Sequence, residues 1–468
     1  MPSTLSRTVL RAGLLAFGLG AADAGGAQTF TKQYDDGSVY TGETRNGLQH
    51  GQGTFRTPAG YEYEGSWVDG TIRGKGRARF PNGAVYEGDF AEGLPHGTGR
   101  IVHPDGTVYE GAWVEGQMTG QGRLTHADGS IHTGTFRNGR PHGEGTRVSP
   151  DGYRYEGGWQ DGQPEGKARV GYADGSVYEG EIRAGVRSGS GRHTTADGAV
   201  YVGAWLDDKR SGQGRLELPG GEIYEGTFVN GLREGRGVSR YPDGSLYAGD
   251  FRADLRHGRG TYASADGQKY AGSWANGIIE GEGRFDYPDG TVYEGNLAAG
   301  LFEGRGRIVY PDGLTYDGTW RGGRIDGAGE LRRADGSIYA GTFKDGLFDG
   351  QGALQSPDGA RYEGNWRMGK RAGAGRTLWP DGSTYEGEFA DDRPHGRGRL
   401  TVPDGFTYEG EWRAGAMTGQ GRAQWPTGEI YEGAFLDGRR HGQGRLVYAD
   451  GTVNEGTWKD DLFVPTGP

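Results

Sequence analysis

The sequence predicts an all-β protein made of tandem 23-residue β-hairpins, and three observations carry that prediction. A Tyr-Glu-Gly triplet or a close variant begins at Tyr40, Tyr63, Tyr86 and Tyr109, then recurs every 23 residues to Asn454 without an insertion. Around each triplet, aromatic and β-branched residues alternate with polar ones, the period of a half-buried strand. Glycine, 98 of 468 residues, returns at set positions of the unit. At that abundance without a period it would point to disorder.

Eighteen complete units run from Tyr40 to Val453, and a half-unit starts at Asn454. With the tyrosine as position 1, glycine fills position 3 in all nineteen copies, position 12 in all eighteen complete units, and position 14 in all but one, where Ala168 stands. In the unit Tyr224 to Leu246, a first strand over Ile223 to Phe228 stops at Asn230-Gly231, residues that tolerate positive φ in a tight turn. Asp208, Asp254, Asp392 and Asp461 replace that turn glycine in four copies. A second strand over Gly235 to Tyr241 ends at Pro242-Asp243-Gly244, a second turn.

Glycine inside a strand costs about 0.5–1 kcal/mol relative to alanine, so a fixed one leaves room for something. Period 2 puts Tyr224, Gly226 and Phe228 on one face of strand one, and Gly235 and Gly237 on one face of strand two. The expected arrangement is a large ring lying over a neighbouring strand's glycine; Gly65, Gly226, Gly235 and Gly237 are then structural. The ring face is also the candidate interaction or packing face, open to a partner wherever the meander leaves it uncovered: Tyr63, Trp67, Tyr109, Trp113, Tyr155, Trp159, Tyr201, Trp205, Trp274, Trp320, Trp366 and Trp412. Trp alternates with Phe or an aliphatic residue at position 5 from Trp67 to Trp205, slips phase, and resumes at Trp274, which makes 46 residues a second period. The other face is charged. Position 15 is Arg in twelve units, and in ten of these position 2 is Glu, as in Glu64 with Arg77 or Glu432 with Arg445. That covariation predicts an ion pair within each hairpin.

Composition excludes several functions. With 52 basic against 63 acidic residues, a net charge of −11 and no basic stripe, the chain does not suit nucleic acid. Without cysteine it has no disulfide, thiol catalysis or cysteine metal site. Arg7 and Arg11 precede an apolar run over Ala12 to Ala22, too short to span a bilayer, which needs about 20 residues. Residues 1–27 are therefore expected to be a signal peptide, cleaved after Ala24 or after Ala27. Residues 28–463 form the array, with full units over 40–453 and half-units at its ends, and 464–468 form a tail. Histidines at position 11, such as His50 and His142, are two hairpins apart at their closest, on the order of 19 Å, too far to share a metal. Gly70 to Lys75 is one residue short of a phosphate loop. No catalytic residue, cofactor or metal ligand is expected.

Tyr-Glu-Gly-x-Trp/Phe-x-x-Gly-x-x-x-Gly-x-Gly at a 23-residue period resembles the MORN repeat, named for membrane occupation and recognition nexus. The resemblance covers Gln28 to about Phe463. It implies an open, elongated, twisted antiparallel β-meander and use as a scaffold for proteins, with lipid-headgroup binding in some members. Catalytic members carry an attached enzyme domain, and no stretch of this sequence outside the array is long enough to be one.

The expected function is thus a non-enzymatic scaffold for protein–protein interaction, periplasmic or secreted, with a partner the sequence does not name. Rows of Trp and Tyr also suit sugars and headgroups, so an envelope-associated lipid-headgroup or polysaccharide binder is the alternative. The array closes on a lone strand, Val453 to Trp458, with Trp458 and Phe463 as apolar surface beside it. Related arrays self-associate through terminal repeats, and a homodimer through the last two or three units is expected here.

Overall fold

A computed structural model describes residues 29–465. The expected signal peptide and its cleavage sites lie outside the described residues. The chain divides into two compact halves, up to Arg233 and from Glu234 onward. Within each half the described residues hold strands and turns with no helix, and each strand pairs antiparallel with its chain neighbours. The pairing does not close on itself, so each half is an open meander.

The unit beginning at Tyr109 shows the construction. Strand one is Val108–Val114 and strand two is Gln117–Thr125. Glu115 and Gly116 join them with φ of 45° and 76°. Two successive positive φ values match the right-handed twist of the flanking strands. Where aspartate replaces the turn glycine it takes the same conformation, with φ of 63° at Asp208 and 66° at Asp392. The Asp-Gly turn is closed differently: the Asp128 carboxylate accepts from the Ser130 N–H at 2.8 Å.

Within the hairpin, Tyr109 stands opposite Leu124, Glu110 opposite Arg123 and Gly111 opposite Gly122. The register then shifts: Ala112 faces Thr119 and Trp113 faces Met118. Gly120 and Gln121 are thus extra residues, a bulge that bends strand two over its partner. Position 12 has a left-handed backbone in every complete unit, with φ from 56° at Gly120 to 103° at Gly327.

This corrects the expectation for Gly235. It does not lie beneath a ring: a Cβ there would meet nothing within 4 Å, and its φ is 65°. Gly235 is required by its left-handed backbone, Gly65 and the position-14 glycines by close approach. A Cβ on Gly122 would lie 2.5 Å from both Cε2 and Oη of Tyr109, and one on Gly65 would lie 2.5 Å from the Gly76 Cα. Positions 3 and 14 pair across strands both within and between units. Gly226 accordingly faces Gly214, and Gly237 faces Gly249.

The exception at position 14 is instructive. Ala168 stands opposite Gly157, and its Cβ is 2.6 Å from where a Cβ on Gly157 would be. The same unit alone has glycine at position 4, Gly158, where a side chain would meet the Glu165 carbonyl oxygen at 2.3 Å. The unit that carries a methyl at position 14 thus has no room for a side chain at position 4.

The two reasons for glycine separate experimentally. Gly235→Asn should cost under about 1 kcal/mol, because asparagine accepts the left-handed region. Gly235→Val should cost about 1–3 kcal/mol more. Local hydrogen exchange over 232–252 measures both; equal losses would show that φ is not what selects glycine there.

Candidate interaction surfaces

On the ring face, the tyrosine of a hairpin lies over its position-14 glycine, as Tyr109 does over Gly122 and Tyr201 over Gly214, and its hydroxyl reaches back to the position-4 carbonyl. Tyr109 Oη donates to the Ala112 oxygen at 3.0 Å, and Tyr201 Oη to that of Ala204 at 2.9 Å. Burial pushes the Tyr109 phenol up to about 12, so it stays a donor. Position-5 rings meet the tyrosines edge-on, in a chain running Tyr40, Trp67, Tyr63, Phe90, Tyr86, Trp113, with centroids 5.0 to 5.6 Å apart. Except at Trp274, whose indole N–H is buried without a partner, the tryptophan N–H donates to the position-14 carbonyl of the preceding unit, 3.1 Å from Trp113 to Gly99 and 3.1 Å from Trp412 to Gly398.

Position 10, carried over the rings by the bulge, closes this layer. Phe302 stacks on Tyr293 at 3.6 Å, and Phe348 on Tyr339 at 3.7 Å. Elsewhere an arginine does so: the Arg187 guanidinium is 4.3 Å from the Trp205 ring and that of Arg440 is 4.6 Å from Trp458. The Asp208 carboxylate accepts from the Arg187 N–H and Nε–H, both at 2.9 Å. Sequence reading missed this position although a signal was present. Each of the four aspartates at position 8 follows an arginine by 21 residues: 187 and 208, 233 and 254, 371 and 392, 440 and 461.

The rings are therefore a core. Tyr63, Trp67, Tyr109, Trp113, Tyr155, Trp159, Tyr201, Trp205, Trp274, Trp320, Trp366 and Trp412 are all buried, from 0% exposure at Tyr109 to 8% at Trp412. The expectation that they present a surface to a partner is corrected: bulge and position-10 side chains cover them.

The opposite face is open. Positions 3 and 14 turn their missing side chains toward the rings, so here they show bare backbone. Positions 2 and 15 stand along one side of this glycine strip, and 4 and 13 along the other. In the C-terminal half they enclose a trough of about 1050 Å³ walled by Arg399, Glu409, Arg422, Glu432, Arg445 and Glu455. In the N-terminal half a smaller one, about 690 Å³, includes Glu144, Lys167, Arg169 and Glu181. The ion pairs differ from the expected ones: each arginine seen paired reaches the glutamate of the following unit. Arg77 Nε is 2.9 Å from Glu87, and Arg422 Nε 2.9 Å from Glu432. Arg77 stands opposite both Glu64 and Glu87, and the trough wall is a ladder of alternating charge.

Two edges complete the surface. Beside the turns that join strand one to strand two in the C-terminal half, Leu255, Ile278 and Leu301 are exposed at position 9 of three successive units, Leu301 by 52%. Position-11 histidines lie at the bulge and face the next turn, as His50 Nδ1 does, 3.4 Å from the Asp69 N–H. Among the described residues no cluster of three or more His, Asp or Glu side chains could hold a metal ion. At the C-terminus Val453–Lys459 is not a lone strand. Leu462–Val464 pairs back on it, and Phe463 packs on Trp458 at 5.2 Å. Trp458 is buried there, and Leu462, 72% exposed, is the apolar residue left outward.

Hairpins stacked through one ring-filled face, with a recurring polar trough on the other, define a tandem β-hairpin repeat scaffold. The MORN repeat matches eighteen segments, 40–60 and 63–85 through 408–430 and 431–453, and the chain belongs to the MORN repeat family. No curated protein matches the chain. Among solved structures, it is similar to the SAS-4 TCP domain of Drosophila melanogaster in complex with a proline-rich motif of Ana2. That match has 14% identity over 37% of this chain and 86% of that one, with a TM-score of 0.23. The TCP10 domain of Danio rerio CPAP, with a STIL peptide, matches at 17% identity over 68% and 95%, with a TM-score of 0.11. A catalytically inactive virginiamycin B lyase from Staphylococcus aureus matches at 10% identity over 66% and 92%, with a TM-score of 0.12.

Proposed function

We propose that this chain is a non-enzymatic scaffold, exported to the periplasm or beyond the cell, that holds a protein partner in the trough of its polar face. The trough is the observation that supports this reading. It repeats with the units, its walls alternate arginine and glutamate, and it stays open while the rings are covered. Such walls suit an extended segment carrying both charges, since opposed charges set register and orientation more than they add affinity. Ring burial weighs against a polysaccharide partner, because stacking on sugars needs exposed ring faces. The exposed Leu255, Ile278 and Leu301 row favours lipid contact as the second reading. A photo-crosslinking residue at Gln443, in the trough wall, and another at Ile278 separate them. Protein adducts from position 443, abolished by the triple change R399E, R422E and R445E, are expected. Lipid adducts from position 278 with none from 443 would contradict the protein reading.

The outer edge of Leu462–Val464 is the surface proposed for self-association, with Leu462 at its centre. Light scattering at tens of micromolar should give the mass of two chains for the mature protein and of one for Leu462→Asp. One chain in both, or two in both, would contradict a C-terminal dimer.

A further inference from the structure

One complete unit lacks the tyrosine: His132 takes its place. The imidazole occupies the ring's position over the glycine, since a Cβ on Gly145 would lie 2.8 Å from its Cε1. It is 1% exposed, edge-on to Phe136 at 5.2 Å and to Trp159 at 4.6 Å. A tyrosine hydroxyl would reach the position-4 carbonyl, as Tyr155 reaches that of Gly158 at 2.7 Å. The shorter imidazole does not: neither Nδ1 nor Nε2 has a hydrogen-bond partner. A buried polar group left so costs free energy, and a buried charge without a partner costs far more.

Its surroundings make a charge worse. From strand Arg140–Val148, Arg147 stands directly opposite, at position 16, where most units have an apolar or uncharged residue. The Arg147 Nε is itself buried without a partner. From strand Gln117–Thr125 comes Leu124, and from the turn after it His126 and the exposed Asp128. Strand Arg154–Gln160 contributes Trp159, with Tyr155 facing Arg147. Asp128, the one acid in this group, is engaged with the Ser130 N–H.

We propose that the hairpin of residues 132–154 is an acid-sensitive break point: protonation of His132 opens it and uncouples the repeats on either side. Burial, followed by the charges of His126 and Arg147, pushes the imidazole down to about 4. The folded hairpin therefore keeps it neutral, while the unfolded chain takes up the proton below about 6.5. The stabilisation is fully present above pH 6.5, falls as the pH drops toward 4, and levels off below. Because repeats touch only their neighbours, the loss begins locally.

Hydrogen exchange of the full chain at pH 7.5 and 4.5, with times scaled for intrinsic rate, tests this. Between the two, opening of peptides within 117–160 should rise by roughly tens of fold, and peptides within 316–400 should change far less. His132→Tyr restores the repeat's own residue and should remove the rise. His132→Phe, a neutral ring without a hydroxyl, should remove it as well. An unchanged rise in both variants, or equal opening throughout the chain, would overturn the proposal.

Discussion

A single layer of strands has no interior, and this chain makes one by laying tyrosine rings across glycines of the adjacent strand. Everything else follows from that contact. The ring lies down where positions 3 and 14 are glycine, with Ala168 the one methyl admitted, and its second face must then be covered. The bulge at position 12 supplies the cover by bending strand two until position 10 arrives above the ring. An aromatic ring buries roughly 150–250 Å², which offsets the conformational cost of glycine in a strand. Position-5 rings such as Trp67, Phe90 and Trp113 touch tyrosines of two units, so a hairpin is complete only when its neighbour is present.

The same contact decides which face is available. Spending the rings on the interior leaves no aromatic platform outside. It also leaves a strip of glycine backbone on the other face, deep enough to form a trough between two rows of polar side chains. Neighbouring charges along that wall pair across units, which locks register between hairpins. Each exposed pair is worth only about 0–1 kcal/mol. They specify alignment, and the rings supply the stability.

Much of this was legible in the sequence. The 23-residue period, the hairpin, its turns and the ring over the position-14 glycine are all written in residue type and spacing. Other features were hidden for identifiable reasons. Gly235 was assigned to a ring because alternation was carried through the strand, and a bulge breaks alternation without leaving a composition signal beyond glycine itself. The partner of Arg77 was ambiguous because a central strand has two neighbours: Glu64 and Glu87 both face it. The twelve tyrosines and tryptophans were offered to a partner because an open sheet was expected to leave one face bare. Nothing at position 10, which holds Gln, Ile, Pro, Met, Arg or Phe, announces a shared role.

The central claim is that the position-14 glycine exists for the ring above it, and a double-mutant cycle on Tyr109 and Gly122 tests it most directly. Gly122→Ala alone should destabilise, since its Cβ would enter the Tyr109 ring. In a Tyr109→Ala background the same change should be neutral or slightly stabilising, because alanine is better than glycine in a strand. The account predicts a coupling of about 2–3 kcal/mol, read by local hydrogen exchange over residues 108–125. A cost for Gly122→Ala that is the same with and without the ring would contradict it.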